Sequence, residues 1–137
     1  MPPPPNPVTA ASQSIGVQIK VSPQAQALLK RSCYDCHSNE TKWPIYNRIW
    51  PGSMMIYSDV SMGRNAMNFS DWPSVDNPDE ARHAAGLLMA SCAAMESGLM
   101  PRKRYLILHP EAKISASEAK SYCVWANAAA KDLRTRR

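Results

Sequence analysis

The sequence predicts an all-α fold, and three observations support this prediction. Apolar residues recur at three- and four-residue spacing over long stretches, which is the period of an amphipathic helix. No stretch of four or more residues alternates apolar with polar side chains, as a half-buried strand would. Helix start signals stand directly before the periodic stretches.

The first two of four predicted helices flank a proline-punctuated segment, residues 33–51. Ser22, with Pro23 at the first helical position, opens a helix that runs to about Lys30. The second predicted helix covers about residues 53–68. Gly63 is expected to interrupt it, because glycine is a poor residue in a helix interior.

The third predicted helix has the strongest start signal in the chain. Asn77 is an N-cap, Pro78 stands at the first helical position and Glu80 at the third. Gly98 marks the end of this helix. Its expected buried stripe comprises Ala81, Ala84, Ala85, Leu88, Cys92, Met95 and Leu99.

The fourth predicted helix begins at Ser115, whose capping-box partner is Glu118, and runs to about Leu133. The helical period also selects its inward side chains. They are Ala119, Tyr122, Cys123, Ala126, Ala129 and Ala130, with Trp125 beside them.

Length and composition limit the class of protein. The chain has 137 residues, 45% hydrophobic and 20% charged, which is enough for one soluble domain. No apolar run approaches the roughly 18 residues of a membrane span. Sixteen basic and 11 acidic residues give a net charge of +5, but no basic stripe with interleaved aromatics predicts nucleic-acid binding.

The chain termini are expected to lie outside the packed domain. Five prolines in the first seven residues favour an extended segment, so residues 1–22 are predicted to be a proline-rich tail or linker. The segment lacks the charged start and apolar core of a secretory signal, although a signal or membrane anchor preceding it remains an alternative. The predicted domain covers residues 23–133, and residues 134–137 form a basic tail.

The motif Cys33-Tyr34-Asp35-Cys36-His37 predicts one covalently bound haem c. In a Cys-x-x-Cys-His motif, the two thiols add across the haem vinyl groups and the histidine binds the iron. A thioredoxin-like pair would follow a strand, and none is predicted. A zinc site would need further ligands at short spacing, whereas Cys92, Cys123, His83 and His109 are scattered; a plain disulfide leaves His37 unexplained.

Met100 is the predicted sixth ligand of the iron. It follows His37 by 63 residues and stands between Gly98, which ends a helix, and Pro101, which stiffens the loop. A thioether is a soft, neutral ligand that raises the reduction potential. His109 is the main alternative. Further rivals, whose helical spacing favours packing roles, are Met54, Met55, Met62 and Met67.

Other side chains are expected to surround the cofactor. The haem propionates need donors, and the sequence offers Arg64, Trp43, Tyr46 and Trp72. A backbone carbonyl is expected to accept the Nδ1 proton of His37 and so to tune the ligand.

Cys92 and Cys123 are predicted to form a disulfide, because both lie on the inward stripes of the last two helices. Haem c is attached outside the reducing bacterial cytosol, in a compartment that permits disulfides. The alternative is two buried free thiols.

The order of these elements resembles class I cytochromes c. More specifically, residues 32–46, 59–64, 68–72, 100–101 and 105–112 are similar to a bacterial haem-binding domain family with a single c-type motif. The resemblance covers about residues 23–130 and departs from the family pattern at Met54-Met55 and in carrying Cys92 and Cys123. It implies a cytochrome c-like fold, with about four helices and long loops enclosing one haem. It also implies a periplasmic location behind an N-terminal anchor or signal, and it includes the His109-Pro110 element.

The predicted function is therefore that of a periplasmic monohaem c-type cytochrome, an electron carrier and not an enzyme. An iron with two protein ligands has no vacant position for a substrate, and a mildly basic surface suits acidic redox partners. The alternative is a sensor or enzyme for a gas or peroxide whose sixth ligand is labile. No acid–base pair for peroxide chemistry stands out to favour it.

Overall fold

The computed structural model describes residues 5–136, and these residues form helices and loops without β-strands. The prediction of an all-α fold is thus confirmed. Three short 3-10 helices cover Ala11–Gln13, Ile45–Arg48 and Pro110–Ala112. The α-helices are α1 (Ile15–Gln18), α2 (Pro23–Ser32), α3 (Tyr34–His37), α4 (Gly52–Ala66), α5 (Pro78–Glu96), α6 (Lys103–Leu108) and α7 (Ala116–Thr135).

The four longer helices, α2, α4, α5 and α7, are the predicted ones, and their caps explain where they begin. The Ser22 hydroxyl accepts from the backbone N–H of Ala25, and Asn77 Oδ1 accepts from Asp79 and Glu80. Ser115 and Glu118 form the complete capping box at the start of α7. These local hydrogen bonds satisfy one or two of the free N–H groups in each first turn.

Helices α5 and α7 form the main packed pair of the fold. Small side chains let the two backbones approach closely, and Ala84, Ala85, Ala126 and Ala130 are fully buried. The predicted disulfide between Cys92 and Cys123 joins the pair. Leu99 is an exception to the predicted stripe, since it is 68% exposed. Helix α5 ends at Glu96, so Leu99 lies beyond the helical period.

Helix α4 packs against α3, and Gly63 is the point of contact. A Cβ atom on Gly63 would lie 2.3 Å from the carbonyl oxygen of Cys36. Gly63 does not interrupt α4, contrary to the prediction, because the helix continues to Ala66. Glycine instead permits the close approach of α4 to the motif.

The N-terminal segment differs from the predicted tail, because residues 6–22 pack onto the domain. Ile15 is fully buried, and its backbone N–H donates to the Phe69 carbonyl at 2.9 Å. The Asn6 side chain donates to the Thr41 carbonyl at 3.0 Å. The domain boundary therefore lies before residue 23. Residues 1–4, which hold three of the five prolines of the N-terminal segment, lie outside the described residues.

The C-terminal boundary also shifts slightly. Helix α7 continues two residues beyond Leu133, to Thr135, and Arg136 pairs with Asp132 at 3.2 Å. Arg137 lies outside the described residues. Throughout the described part of the chain, every helix is too short or too polar to cross a membrane.

Candidate functional site

Cys33, Cys36, His37 and Met100 line one cleft, although Met100 is far from the others in sequence. The cleft contains about 760 Å³ of empty space, part of which is open to solvent. Its remaining lining comes from the end of α2, from α3 and α4, and from the segment that follows Met100. These residues are Ser32, Asp35, Asp59, Met62, Gly63, Ala66, Pro101, Arg102 and Tyr105.

The spacing of the motif explains why its three chemical groups face the same cleft. Residues three and four apart share one face of a helix. Cys33 caps the N-terminus of α3, and its carbonyl accepts from the N–H groups of Cys36, at 3.3 Å, and His37, at 2.9 Å. One helical turn thus brings both thiols and the imidazole to the cleft.

The imidazole of His37 is oriented by the end of α4. Its Nδ1 lies 2.8 Å from the carbonyl oxygen of Gly63 and 3.0 Å from that of Met67. Because both neighbours are acceptors, Nδ1 carries the proton, and Nε2 is left as the atom with a free lone pair. The expected hydrogen bond from His37 to a backbone carbonyl is therefore present.

The two motif thiols are neutral in this environment. Burial is the largest cause that raises the pKa of Cys33 and of Cys36, in each case to about 12. A reactive thioredoxin-like pair requires the opposite shift, because the thiolate is its nucleophile. These pKa values therefore disfavour a thiol–disulfide oxidoreductase.

The described residues do not gather a zinc site around the motif. One group of three metal-ligand side chains has its ligand atoms within 4.8 Å of one another among residues 5–136, and it comprises Cys92, Glu96 and Cys123. The two sulfur atoms of this group are bonded to each other in the disulfide. A zinc ion would need free thiolates there.

Met100 reaches the cleft because α5 ends shortly before it. Gly98 has φ 75°, a left-handed conformation that terminates helices and that glycine adopts readily. The backbone N–H of Met100 then donates to the Ala94 carbonyl at 3.1 Å, which turns the chain back along the helix end. Pro101, which follows, is buried and lines the cleft as well.

Among the rival methionines, Met62 also lines the cleft, whereas Met54, Met55 and Met67 do not. Met62 extends from α4, next to Gly63, which contacts His37. Met100 instead belongs to a separate segment, the loop between α5 and α6.

The structure does not bring His109 into the cleft. Its Nε2 lies 3.0 Å from the Tyr46 hydroxyl, and its Nδ1 lies 3.3 Å from Glu111 Oε1. Its ring stacks on Tyr105 at a centroid distance of 4.3 Å. Both ring nitrogens thus have protein partners, and His109 is not among the residues that line the cleft.

Arg64 does not line the cleft either, contrary to the expectation that it binds a propionate. Its guanidinium donates to the Ser38 carbonyl at 2.8 Å, and to Thr41 Oγ1 and Asn6 Oδ1 at 2.9 Å each. Desolvation by burial lowers the pKa of Arg64. Through these contacts Arg64, on α4, holds the loop that follows His37.

The three predicted aromatic donors also lie outside the cleft. Trp43 packs edge-on against Tyr57, with ring centroids 5.4 Å apart, and Tyr46 bonds to His109. Trp72 is 3% exposed and stacks on Phe69, which makes it a core residue. These aromatic residues therefore pack the surroundings of the site instead of lining it.

A cluster of charged and polar side chains that the sequence did not predict lines part of the cleft. Asp59 is 7% exposed and accepts from Arg104 through both carboxylate oxygens, while Arg102 Nη1 lies 3.8 Å away. Tyr105 donates to Asp35 Oδ2 at 2.7 Å, and burial followed by this hydrogen bond raises the pKa of its hydroxyl. Their position in the sequence could have indicated a place in the cleft, because Arg102 and Tyr105 come two and five residues after Met100.

A comparison with protein families supports the chemistry indicated by the cleft. The model of the haem-binding domain family matches residues 2–128, which includes every cleft residue described above. Searches of curated proteins and of solved structures returned no match. Because the family match covers most of the chain, this protein is a member of the haem-binding domain family.

Proposed function

We propose that this haem protein is a monohaem c-type cytochrome, which carries single electrons between redox proteins in the periplasm. Cys33 and Cys36 attach haem c, while His37 and Met100 ligate its iron. The observation that carries the proposal is that all four side chains line one cleft, although Met100 is supplied by a distant segment.

The donor set fits a c-type haem. Both thiols lie on the same helical turn as the histidine, as covalent attachment requires. The Nε2 lone pair of His37 is directed away from its hydrogen-bonded Nδ1, so the imidazole has one nitrogen for the protein and one for iron. The methionine offers a second, softer ligand in the same cleft.

The proposed ligands determine which redox state of the iron is favoured. When bound, the haem supplies a one-electron couple between ferric and ferrous iron. The hydrogen bond from His37 to Gly63 makes the imidazole more basic and favours the ferric state, whereas the Met100 thioether favours the ferrous state. If His37 and Met100 both hold the iron, the chain leaves no position for a substrate, which suits a carrier more than an enzyme.

Arg102 is the cleft-lining cation in this proposal. An anionic group is costly in a partly buried apolar cleft unless a cation or donor is near. Arg102 lines the cleft, with its Nη1 3.8 Å from Asp59, whereas Arg104 does not line the cleft and donates to Asp59 through two nitrogens. We therefore assign to Arg102 the role of propionate partner that the sequence suggested for Arg64.

The periplasmic location is supported by the cysteine chemistry. The chain forms one disulfide, between Cys92 and Cys123, and disulfides persist in oxidising compartments. Covalent attachment of haem c takes place in the same compartment of bacteria.

Two measurements on the purified holoprotein test the proposal. Intact mass after acid–acetone extraction should retain the mass of one haem, and a mass equal to the bare polypeptide would refute covalent attachment. Optical spectra of both redox states, with and without carbon monoxide, test the iron ligands. A ferrous protein that binds carbon monoxide slowly or not at all supports the carrier. Rapid binding by the untreated protein would instead favour the gas or peroxide sensor with a labile ligand.

A further inference from the structure

Four large apolar side chains are exposed at one corner of the molecule. Ile45, Ile49, Trp50 and Met54 are 86%, 68%, 72% and 62% exposed. They lie on the 3-10 helix Ile45–Arg48, the loop after it and the first turn of α4. The Trp50 indole N–H donates to Met54 Sδ at 2.9 Å, so at least these two side chains touch. Clustered exposure of this kind marks interaction surfaces, unlike scattered apolar residues.

Residues that adjoin this apolar corner in the chain lie near the cleft: Tyr46 follows Ile45, and Met55 follows Met54. A small groove beside it is lined by Tyr46, Met55 and Leu108, and also by Asp59 and Tyr105. Asp59 and Tyr105 also line the cleft. The groove thus lies between the chain segment of the corner and the cleft.

Two segments at the corner and the cleft carry positive charge and no acidic residue, although Asp35 and Asp59 also line the cleft. Residues 41–58 contain Lys42 and Arg48 and no carboxylate, and residues 97–110 contain Arg102, Lys103 and Arg104 and no carboxylate. Asp59 offsets part of this charge through its pairing with Arg104. The remaining charge is complementary to an acidic surface.

We infer that Ile45, Ile49, Trp50 and Met54 form a docking surface for a redox protein whose own face is apolar at its centre and acidic at its rim. Tryptophan, methionine and arginine are the residue types enriched at protein interfaces, and Trp50, Met54 and Arg48 supply them here. A membrane-surface site would instead present the wide apolar face of one amphipathic helix, whereas this corner combines a four-residue 3-10 helix, a loop and the first turn of α4. The inference rests on the proposed electron-transfer function.

The test measures electron transfer from an acidic donor to the intact holoprotein. Reduced flavodoxin is the probe, and stopped-flow absorption gives the second-order rate constant for reduction of the ferric haem at low ionic strength. Trp50→Ala should lower this rate constant at least about fivefold, because an anchor residue at the centre of the contact is lost. Arg48→Glu should lower it as well and should weaken its dependence on salt.

Two controls separate docking from electron acceptance. Val124→Ala alters a side chain on α7 that is 66% exposed and lies outside the corner, and it should leave the flavodoxin rate unchanged. Ascorbate, a small reductant that needs no docking surface, should reduce every variant at the wild-type rate.

The possible outcomes have distinct meanings. A Trp50→Ala protein that reacts with flavodoxin at the wild-type rate would overturn the docking surface. Failure of ascorbate to reduce any variant would count against the proposed electron carrier instead. Two further results would overturn the assigned partner: a wild-type dimer that Trp50→Ala dissociates, or wild-type binding to phosphatidylglycerol vesicles that Trp50→Ala abolishes.

Discussion

The hydroxyl of Tyr105 donates a 2.7 Å hydrogen bond to Asp35 Oδ2 and so connects the segment after Met100 to the motif that contains His37. Asp35 lies between the two motif cysteines, and its other oxygen accepts from the backbone N–H of Lys42 at 2.9 Å. The ion pair between Arg104 and Asp59 connects the same segment to α4. The segments that supply the two proposed iron ligands are thus held together by polar side chains.

Tyr105→Phe should weaken the hold on Met100. Loss of a hydrogen bond to a carboxylate costs roughly 1.5–3 kcal/mol of unfolding free energy, measurable by denaturant titration. When the pH is raised, the weak near-infrared sulfur-to-iron absorption of the ferric protein should disappear at a lower pH in this variant than in the wild type. Tyr46→Phe is the matched control, since the Tyr46 hydroxyl bonds to His109 and not to the motif. Equal pH midpoints for wild type and Tyr105→Phe would show that the hydrogen bond does not position Met100.

Met100→Ala should abolish the near-infrared absorption, lower the reduction potential and open the iron to carbon monoxide, because the proposed thioether ligand is removed. Spectroscopy and redox titration of the holoprotein measure all three. His109→Ala should change none of them appreciably, since both nitrogens of His109 have partners outside the cleft. Met62→Ala, at the other cleft methionine, should keep the near-infrared absorption. Loss of the low-spin spectrum in His109→Ala alone would establish bis-histidine ligation.

Gly63→Ala should separate α4 from the motif. The added Cβ would lie 2.3 Å from the Cys36 carbonyl oxygen, so backbone must move, and the hydrogen bond from His37 to Gly63 should weaken. We expect a loss of about 1–3 kcal/mol in unfolding free energy, as for other overpacked sites. Gly86→Ala is the control, because no atom lies within 4 Å of its added Cβ. It should stabilise α5 by roughly 0.5–1 kcal/mol, and equal effects of the two substitutions would contradict the close packing at Gly63.

Removing the disulfide should destabilise the packed pair of α5 and α7. Cys92 and Cys123 are separated by 31 residues, for which the chain-entropy model gives about 3.5–4 kcal/mol. The double substitution to alanine should lower the melting temperature by roughly 10 °C. Alkylation of the unfolded, unreduced holoprotein should label no cysteine, and labelling of Cys92 and Cys123 would refute the bridge.

Glu118 should contribute stability that depends on pH. Hydrogen bonds from Arg31 and then from the Ser115 backbone lower the pKa of its carboxyl from 4.5 to about 2 in the folded protein. A depressed folded-state pKa stabilises the protein above the unfolded-state value, and this contribution is lost as the pH falls from about 5 to about 2. Glu118→Gln should therefore cost about 0.5–1 kcal/mol at pH 7, a small value because the ion pair is partly exposed, and almost nothing near pH 2.

The control for Glu118 is Asp71→Asn, at an exposed carboxylate without an ion pair in the described part of the chain. Denaturant titrations at several pH values should show little difference between this variant and the wild type. If Glu118→Gln lost as much unfolding free energy at pH 2 as at pH 7, the lowered pKa assigned to Glu118 would be contradicted.

Local signals in the sequence were sufficient for the long helices and the chemical motif. Ser22, Asn77 and Ser115 mark helix starts because capping involves atoms within about three residues. The pairing of Cys92 with Cys123 followed from periodicity, since two inward helical faces that pack together bring their cysteines close. The convergence of Cys33, Cys36 and His37 likewise needs one helical turn and no tertiary information.

Packing between distant segments decided the remaining features. Arg64 resembled a haem-pocket residue in sequence, but the N-terminal segment and the loop after His37 supply the acceptors that hold it elsewhere. His109 is similarly held by Tyr46, which lies 63 residues earlier. Ile15 looked like part of a tail, yet it is buried against the domain. By itself, the sequence determined which elements form and which groups carry the chemistry, because both depend on neighbours in the chain. The tertiary structure alone decided which polar side chains face the cleft, because each one binds whichever acceptor the fold brings nearest.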